Sequence, residues 1–295
     1  MQRHLHDFFH RFIEQPAVSA GALTQARAKF SHRAFCELNQ QLLIPAFYSP
    51  QAQSAPKQWR GHRLLGVEGS QLSLPNHEKV IERFGSIAAD YKHGDTGSSY
   101  VAGRPSVLYD LLNHVGLDAR LEPLSVGEVE IAIEQLSQIQ PEDCVIWDRG
   151  FSGYVLMAQT LEAGADFMGR CSTRSFLAAK KLFKADHAGC SVVENVKVPG
   201  TARAAVKREK LPRELTVRFV SLRLPDGKLE VLVTSLIDEQ NYPTEEFLEV
   251  YHWRWCHETY YLMLKSRLDL ENWSGLTLES VQQDLQAAVL VANLE

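Results

Sequence analysis

The chain has 295 residues, a formal net charge of -5, 45% hydrophobic residues and 23% charged residues, which excludes a disordered chain, a fibre or a disulfide-held mini-protein. Cys36, Cys144, Cys171, Cys190 and Cys256 are scattered and never paired as Cys-x-x-Cys, which argues against a disulfide framework or a zinc knuckle. No apolar run is long enough to cross a bilayer, and His, Arg and Asp interrupt the N-terminal apolar residues, so a cytoplasmic protein without a signal peptide is expected.

Phe8, Phe9, Phe12 and Ile13 recur at helical spacing, and Leu23, Ala26, Phe30 and Phe35 extend the pattern across 19–43, interleaved with Arg27, Lys29 and Arg33. A basic helical pair suits DNA binding, and equally suits an ordinary surface helix. The Pro-, Ser- and Gln-rich stretch 48–60 reads as a linker, giving an N-terminal helical DNA-binding region over 1–60. Strands are expected over 63–67, 71–74, 99–111 and 114–123. A helix over 126–136, an apolar strand over 144–147, a helix over 154–162 and a strand over 166–171 follow. An antiparallel run that gives way to alternating strands and helices implies an α/β fold, a mixed sheet flanked by helices, whose first part is 61–172. Residues 173–243 are basic and strand-rich, with a hairpin turning at 224–227, and read as an inserted β subdomain. The second part of the core, 244–295, is helical to 268 and again from 278. Its last helix shows no capping residue before Glu295 and looks cut.

The modest net charge hides a segregation. From Asp118 to Asp148 eight acids meet one base, from Arg170 to Lys184 five bases meet no acid, and from Thr201 to Lys228 eight bases meet three acids. Such separation can set phosphate-binding surface beside a carboxylate-rich site, or can be solvated surface charge. Asp148 follows an apolar strand and opens Asp-Arg-Gly-Phe. Its carboxylate therefore belongs at the carboxyl end of a central strand, where α/β sheets place their sites; a turn aspartate capping the next helix is the structural alternative. Tyr251, Arg254, Glu258 and Lys265 fall within an arc of roughly 60° on one helix face at about 100° per residue. Trp253, Cys256, Tyr260, Met263 and Leu264 gather opposite, suited to packing on the sheet. Spacing alone does not separate this from a solvated stripe with an ordinary Arg–Glu pair.

Tyr251-x2-Arg254-x3-Glu258-x6-Lys265 resembles the YREK signature of insertion-sequence family four, the cut-and-paste DDE transposases. Val-Ile-Trp-Asp-Arg-Gly-Phe around Asp148 is similar to that family's second acidic motif. The resemblance extends to 23–30, 65–75, 166–170 and 271–294, and so over most of the chain. It implies a ribonuclease-H-like core, with the β insertion lying between the second and third acids. Glu68, Asp148 and Glu258 would be the catalytic metal ligands, and Tyr251, Arg254 and Lys265 phosphate contacts. Arg149, Arg170, Lys207, Arg208 and Lys210 are further candidates for phosphate contact. The implied cofactor is two Mg2+ or Mn2+ ions, since hard oxygen ligands suit these cations and a pair about 3.5–4 Å apart stabilises both oxygens of an in-line displacement. The implied partners are double-stranded DNA, as terminal inverted repeats of an element and as target, and a second copy in a homodimer assembled on DNA. A hairpin intermediate with a flipped base is also implied, and the sequence identifies no flipping residue.

Two departures stand against the pattern. Glu68 occupies the place of the family's first aspartate, and the added methylene can shift its oxygens by up to about 1.5 Å. The chain also stops where the family continues into a region that pairs two protomers. A second expectation, a truncated and catalytically impaired DNA-binding remnant, rests on these departures. A third, a general metal-dependent nuclease without end specificity, is weakened by the signature. Arg104 and Asp110 are expected to be structural.

Overall fold

The computed structural model describes residues 10–11, 18–52, 54–88 and 99–295; the expected helix carrying Phe8, Phe9, Phe12 and Ile13 lies outside the described residues. The described chain begins with helices α1 (Ala20–Arg27), α2 (Arg33–Leu38) and α3 (Ile44–Phe47), the last two joined by a π-helical turn. Ser19 caps α1 by accepting from the Ala22 N–H. Strands β1 (Arg63–Gly69) and β2 (Leu72–Leu74), helix α4 (Glu78–Phe84), and strands β3 (Ile87–Ala88), β4 (Ser99–Asp110) and β5 (Val115–Pro123) follow. The alternating half of the chain supplies α5 (Glu128–Gln135), β6 (Asp143–Trp147), α6 (Tyr154–Glu162) and β7 (Asp166–Arg170). Next come α7 (Leu177–Ala185), β8 (Cys190–Lys197), α8 (Arg203–Glu209), β9 (Glu214–Arg223) and β10 (Leu229–Thr234). Helices α9 (Phe247–His252), α10 (Trp255–Ser266) and α11 (Leu278–Ala292) close the described fold.

One ten-stranded mixed sheet joins all of this. Strand β4 pairs antiparallel with β5 on one side and with β1 and β2 on the other; β1 pairs parallel with β6, and β6 parallel with β7. The expectation of a ribonuclease-H-like mixed sheet flanked by helices is met by this topology. The hairpin expected near 224–227 is β9–β10, and β10 adds antiparallel to β7, so the basic segment continues the central sheet. That segment also contains α7 and α8, which its strand-rich composition did not suggest; α7 fully buries Ala178 and Ala179 and packs Leu182 and Phe183 partly against the core. Two packed layers result. Leu64, Ile146 and Met168 face Tyr251, Tyr260, Leu264 and Leu285 on one side, while Leu65, Val145, Trp147 and Phe167 face Phe151, Met157 and Ala178 on the other. Adjacent residues of β1 and β6 thus serve opposite cores, the period-two consequence of strands buried on both faces.

One further expectation changes. The continuous helix from 244 is broken: α9 ends at His252 and α10 starts at Trp255, with Trp253 exposed at the joint instead of packed on the sheet. Helix α11 carries Asn293 at its C-cap. The Asn293 side chain accepts from the Gly116 N–H at 2.7 Å and donates to Asn39 Oδ1 at 2.6 Å, which ties α11 to β5 and to the N-terminal helices. Arg27, a candidate basic surface residue, is bound to Asp284 at 3.1 Å and to Gln283 at 3.0 Å.

Gly169 in β7 shows how closely the second layer is packed. A Cβ there would overlap the Trp147 indole and stand 2.7 Å from Ser152 Oγ. Gly169→Ala is expected to lower the unfolding free energy by about 1–3 kcal/mol, as overpacking of a close-packed core does. Urea denaturation checks it; an unchanged midpoint would show that β7 gives way freely.

Candidate active site

The sheet register brings the first two acids together. Gly66 of β1 lies level with Ile146 of β6, so the parallel pairing continued by two residues sets Glu68 level with Asp148 at the carboxyl ends of both strands. Both side chains fall on the face of Leu64 and Ile146, which is the face that α10 covers. Helix α10 crosses closely: a Cβ on Gly66 would lie 3.1 Å from His257 Nδ1 and 2.8 Å from Leu111 Cδ2. His257, Tyr260, Tyr261 and Leu264 form its buried face, an i, i+3, i+4, i+7 stripe. The Tyr261 hydroxyl accepts from the Val107 N–H at 3.0 Å and donates to the Glu68 carbonyl at 2.8 Å, pinning the helix to the β1–β4 ladder at the acid itself.

Arg254 ends the turn before α10 and reaches into the cluster. Its Nη1 lies 3.3 Å from Glu68 Oε2 and its Nη2 3.1 Å from Glu258 Oε1. Tyr251 donates to Asp148 Oδ1 at 3.2 Å, and Arg170 Nη1 stands 3.6 Å from the same oxygen. Arg170 is in turn paired with Glu230, a buried acid of β10. Lys265 is turned away from the acids: its ammonium bonds Ser70 Oγ at 3.0 Å and the Gln71 carbonyl at 2.8 Å, bracing the β1–β2 turn. Arg149 is exposed beside Asp148. Lys207, Arg208 and Lys210 sit on and after α8, exposed, with Arg208 paired to Glu209, and none of the three contacts the carboxylate cluster. Arg104 and Asp110 are structural as expected: Arg104 bonds the Leu124 carbonyl, and buried Asp110 accepts from Tyr48, Asn113 and the Leu112 N–H.

Charge follows geometry. Burial pushes the Glu68 carboxyl up to about 7; Arg254 opposes this, and Glu258, Asp148 and Glu128 reinforce it. Burial also acts to raise Asp148, but the Arg149 N–H, the Arg254 and Arg170 charges and the Tyr251 hydroxyl outweigh it and hold its carboxyl below the usual range. Burial disfavours the Arg254 charge, yet the surrounding Tyr251, Glu68, Asp148 and Glu258 keep the guanidinium more firmly protonated than usual. The donor chemistry, three hard carboxylates, is right for a divalent cation. As arranged, however, the acids do not fit one: among the described residues no three His, Cys, Asp or Glu side chains form a group that could hold a metal ion.

The sequence did not point to His257, Tyr261 or Glu230. For the first two the signal was present as a second stripe on the same helix, masked because the expected sheet-facing set was rotated by part of a turn and shared only Tyr260 and Leu264 with it. For Glu230 it was a lone acid in the apolar strand Leu-Glu-Val-Leu-Val.

A family model described as the transposase DDE domain matches residues 59–294. The chain is 24% identical over 291 residues to the transposase InsG for insertion sequence element IS4 of Escherichia coli strain K12, a match covering 95% of this chain and 61% of the relative. It therefore spans less than two thirds of that relative's length. It is also similar to a solved structure, the piggyBac transposase in a cryo-EM synaptic complex with hairpin DNA, at a TM-score of 0.45 and 14% identity over 78% of this chain and 45% of that one.

His257 is fully buried with neither ring nitrogen hydrogen-bonded. Burial, with the nearby Arg254 charge, pulls it down to about 3. An unfolded histidine titrates near 6.5, so as pH falls below that value the unfolded chain binds a proton that the folded one refuses. Stability held above about pH 6.5 is lost toward pH 3, at up to about 1.4 kcal/mol per unit. His257→Phe is expected to flatten this acid limb in denaturation series between about pH 7 and pH 4. Parallel profiles for parent and variant would refute it.

Proposed function

Because the chain belongs to the transposase DDE domain family, we propose that it cuts and rejoins DNA in the cut-and-paste movement of an insertion sequence, with Glu68, Asp148 and Glu258 as its acidic triad. The observation that carries this is the convergence of three acids from distant parts of the chain on one guanidinium at the strand ends of β1 and β6. The substrate is double-stranded DNA, first the terminal inverted repeats of the element and then the target, handled by a homodimer assembled on DNA. The attacking group is water or a DNA 3′-hydroxyl, so no protein nucleophile is needed: its oxygen bonds to phosphorus as the leaving oxygen departs in line.

The chain's own residues divide this work. Tyr251 and Arg170 orient Asp148, Tyr261 fixes the height of Glu68, and Arg254 offers a planar fork that matches a phosphate. Lys265 stiffens the turn after β1, and exposed Arg149 lies where a DNA strand reaches Asp148. Lys207, Arg208 and Lys210 extend the phosphate contacts over the insertion, 173–243. The resemblance calls for Mg2+ or Mn2+, two ions on the three acids, and in the present arrangement Arg254 takes the space between Glu68 and Glu258. A catalytically impaired DNA-binding remnant is the second reading, and Glu68, longer than aspartate and drawn up to about 7, favours it.

Glu68→Asp separates the two readings. If Glu68 is a ligand set too far forward, Glu68→Asp raises magnesium-dependent cleavage of a duplex carrying the element end, by up to about a hundredfold since misplacement near 1 Å costs that much. Glu68→Ala, Asp148→Asn and Glu258→Gln abolish it. Equal activity in the Asp, Ala and parental proteins would move the choice to the remnant. Replacing Lys207, Arg208 and Lys210 together by Ala is expected to weaken DNA binding and to reduce its salt slope by roughly 0.9 for each phosphate that is no longer neutralised. An unchanged slope would remove that surface from the interface.

A further inference from the structure

Two buried arginines of this protein meet carboxylates in different ways. Arg63 holds Asp143 as a closed fork, Nε to Oδ1 at 2.8 Å and Nη2 to Oδ2 at 2.7 Å, with the Tyr48 ring 5.0 Å from its Cζ. That is the short, bidentate geometry of a permanent ion pair. Arg254 makes one longer bond to each of two acids, 3.3 Å to Glu68 and 3.1 Å to Glu258, and closes a fork on neither. Its Nε is buried without a partner, although the side chain is only 7% exposed. A guanidinium has five donors, and a buried one left unbonded has a cost. Arg254 is therefore enclosed and under-bonded.

The surroundings leave it a way out. The Trp255 ring lies 5.2 Å from the Arg254 Cζ and is itself half exposed, so the guanidinium can keep an aromatic face beneath it while it swings outward. The Glu258 side chain is 42% exposed, which leaves the cluster open on that side. With Arg254 inside, it offsets Glu68 and Glu258 while Arg170 stands by Asp148; with Arg254 withdrawn, the three acids keep only Arg170, at the Asp148 side.

Resting on the transposase reading above, we propose that Arg254 is a displaceable internal counter-ion: it fills the carboxylate centre in the free protein, and a DNA phosphate draws it out, so that a divalent cation and DNA load the site together. The mismatch between right donors and a wrong arrangement then has a cause, because Arg254 stands between Glu68 and Glu258. Linkage makes the effect reciprocal: DNA raises the affinity for the cation, and the cation raises the affinity for DNA by the same factor. Off DNA, the chain holds little metal.

Manganese(II) binding to the whole chain, followed by the electron paramagnetic resonance signal of the free ion, tests this. The parental protein is expected to bind Mn2+ weakly, and Arg254→Gln roughly tenfold more tightly, within the range usual for coupled sites. That gain should vanish in Arg254→Gln combined with Asp148→Asn. A short DNA duplex, after subtraction of its own Mn2+ binding, should tighten the parental protein and leave Arg254→Gln unchanged. Equal affinities for parent and Arg254→Gln, both weakened by Asp148→Asn, would overturn the proposal and leave the transposase reading standing. Mn2+ binding insensitive to Asp148→Asn in every protein, with and without duplex, would show that the acids are not the metal set and would fell both. Arg254→Lys, which keeps the charge but cannot span both acids, is the second variant should the glutamine protein not fold. It is expected to tighten binding in the same direction, and no change in it would also overturn the proposal.

Discussion

Helix α10 lies so close to β1 that position 66 has room for no side chain, since a Cβ there would meet Leu111 and His257. That approach is the constraint from which the rest of the site follows. It lets the Tyr261 hydroxyl enter the end of the β1–β4 ladder and hold the Glu68 backbone. It stacks His257 on Tyr109 and Tyr261, 5.5 Å and 5.3 Å between ring centroids. Glu258, the next residue along, then stands over the strand ends, and Arg254 one turn back falls between it and Glu68. A helix held a few ångströms further out would carry the same residues and bring none of them together, because charge-assisted bonds do not survive about that much added distance.

The sheet supplies the complementary half. Parallel pairing of β1 with β6 sets two acids at one level, and parallel pairing of β6 with β7 brings Arg170 beside Asp148. Because β10 adds to β7, the hairpin reaches this centre through Glu230, whose pairing with Arg170 carries the alignment from the insertion into the core. Each charge in the row Glu230, Arg170, Asp148 and Arg254 has an opposite neighbour, and for the two buried ends, Glu230 and Arg254, removal of a partner carries an unpaired burial cost.

Much of this was legible in the residues. Two-sided apolar runs such as Cys144–Trp147 and the alternation of 115–123 state their partners through their period, and the sheet class follows from their order. Asp148 and Glu258 were singled out because the family resemblance rests on local patterns, a strand end and a helical spacing, that spacing alone left open. What could not be read locally is what depends on distance across the fold. Lys265 is a phosphate contact by the family resemblance, but its ammonium bonds Ser70 and Gln71, a turn nearly two hundred positions earlier. Tyr251 and Arg254 share an arc with Glu258 on an ideal helix, yet the break between α9 and α10 makes them inward and buried while Glu258 stays exposed. The helices α7 and α8 escaped notice because the basic, strand-rich composition of 173–243 was read as a whole, although Ala178, Ala179, Leu182 and Phe183 of α7 share one core-facing side.

The break between α9 and α10 also has a bearing on when the centre comes into being. Glu68 and the guanidinium that offsets it are 186 residues apart in the chain, and every strand of the sheet precedes Arg254. A ribosome therefore completes β1 through β10 before the residue that neutralises their acidic end has been made. Contacts of such separation are entropically expensive to close and form late. Until then Glu68 and Asp148 lie at the uncovered carboxyl ends of two central strands, hydrated and mutually repelling. Synthesis of the C-terminal helices is thus the step that brings Arg254 and Glu258 to Glu68 and Asp148 and closes the core on that face of the sheet.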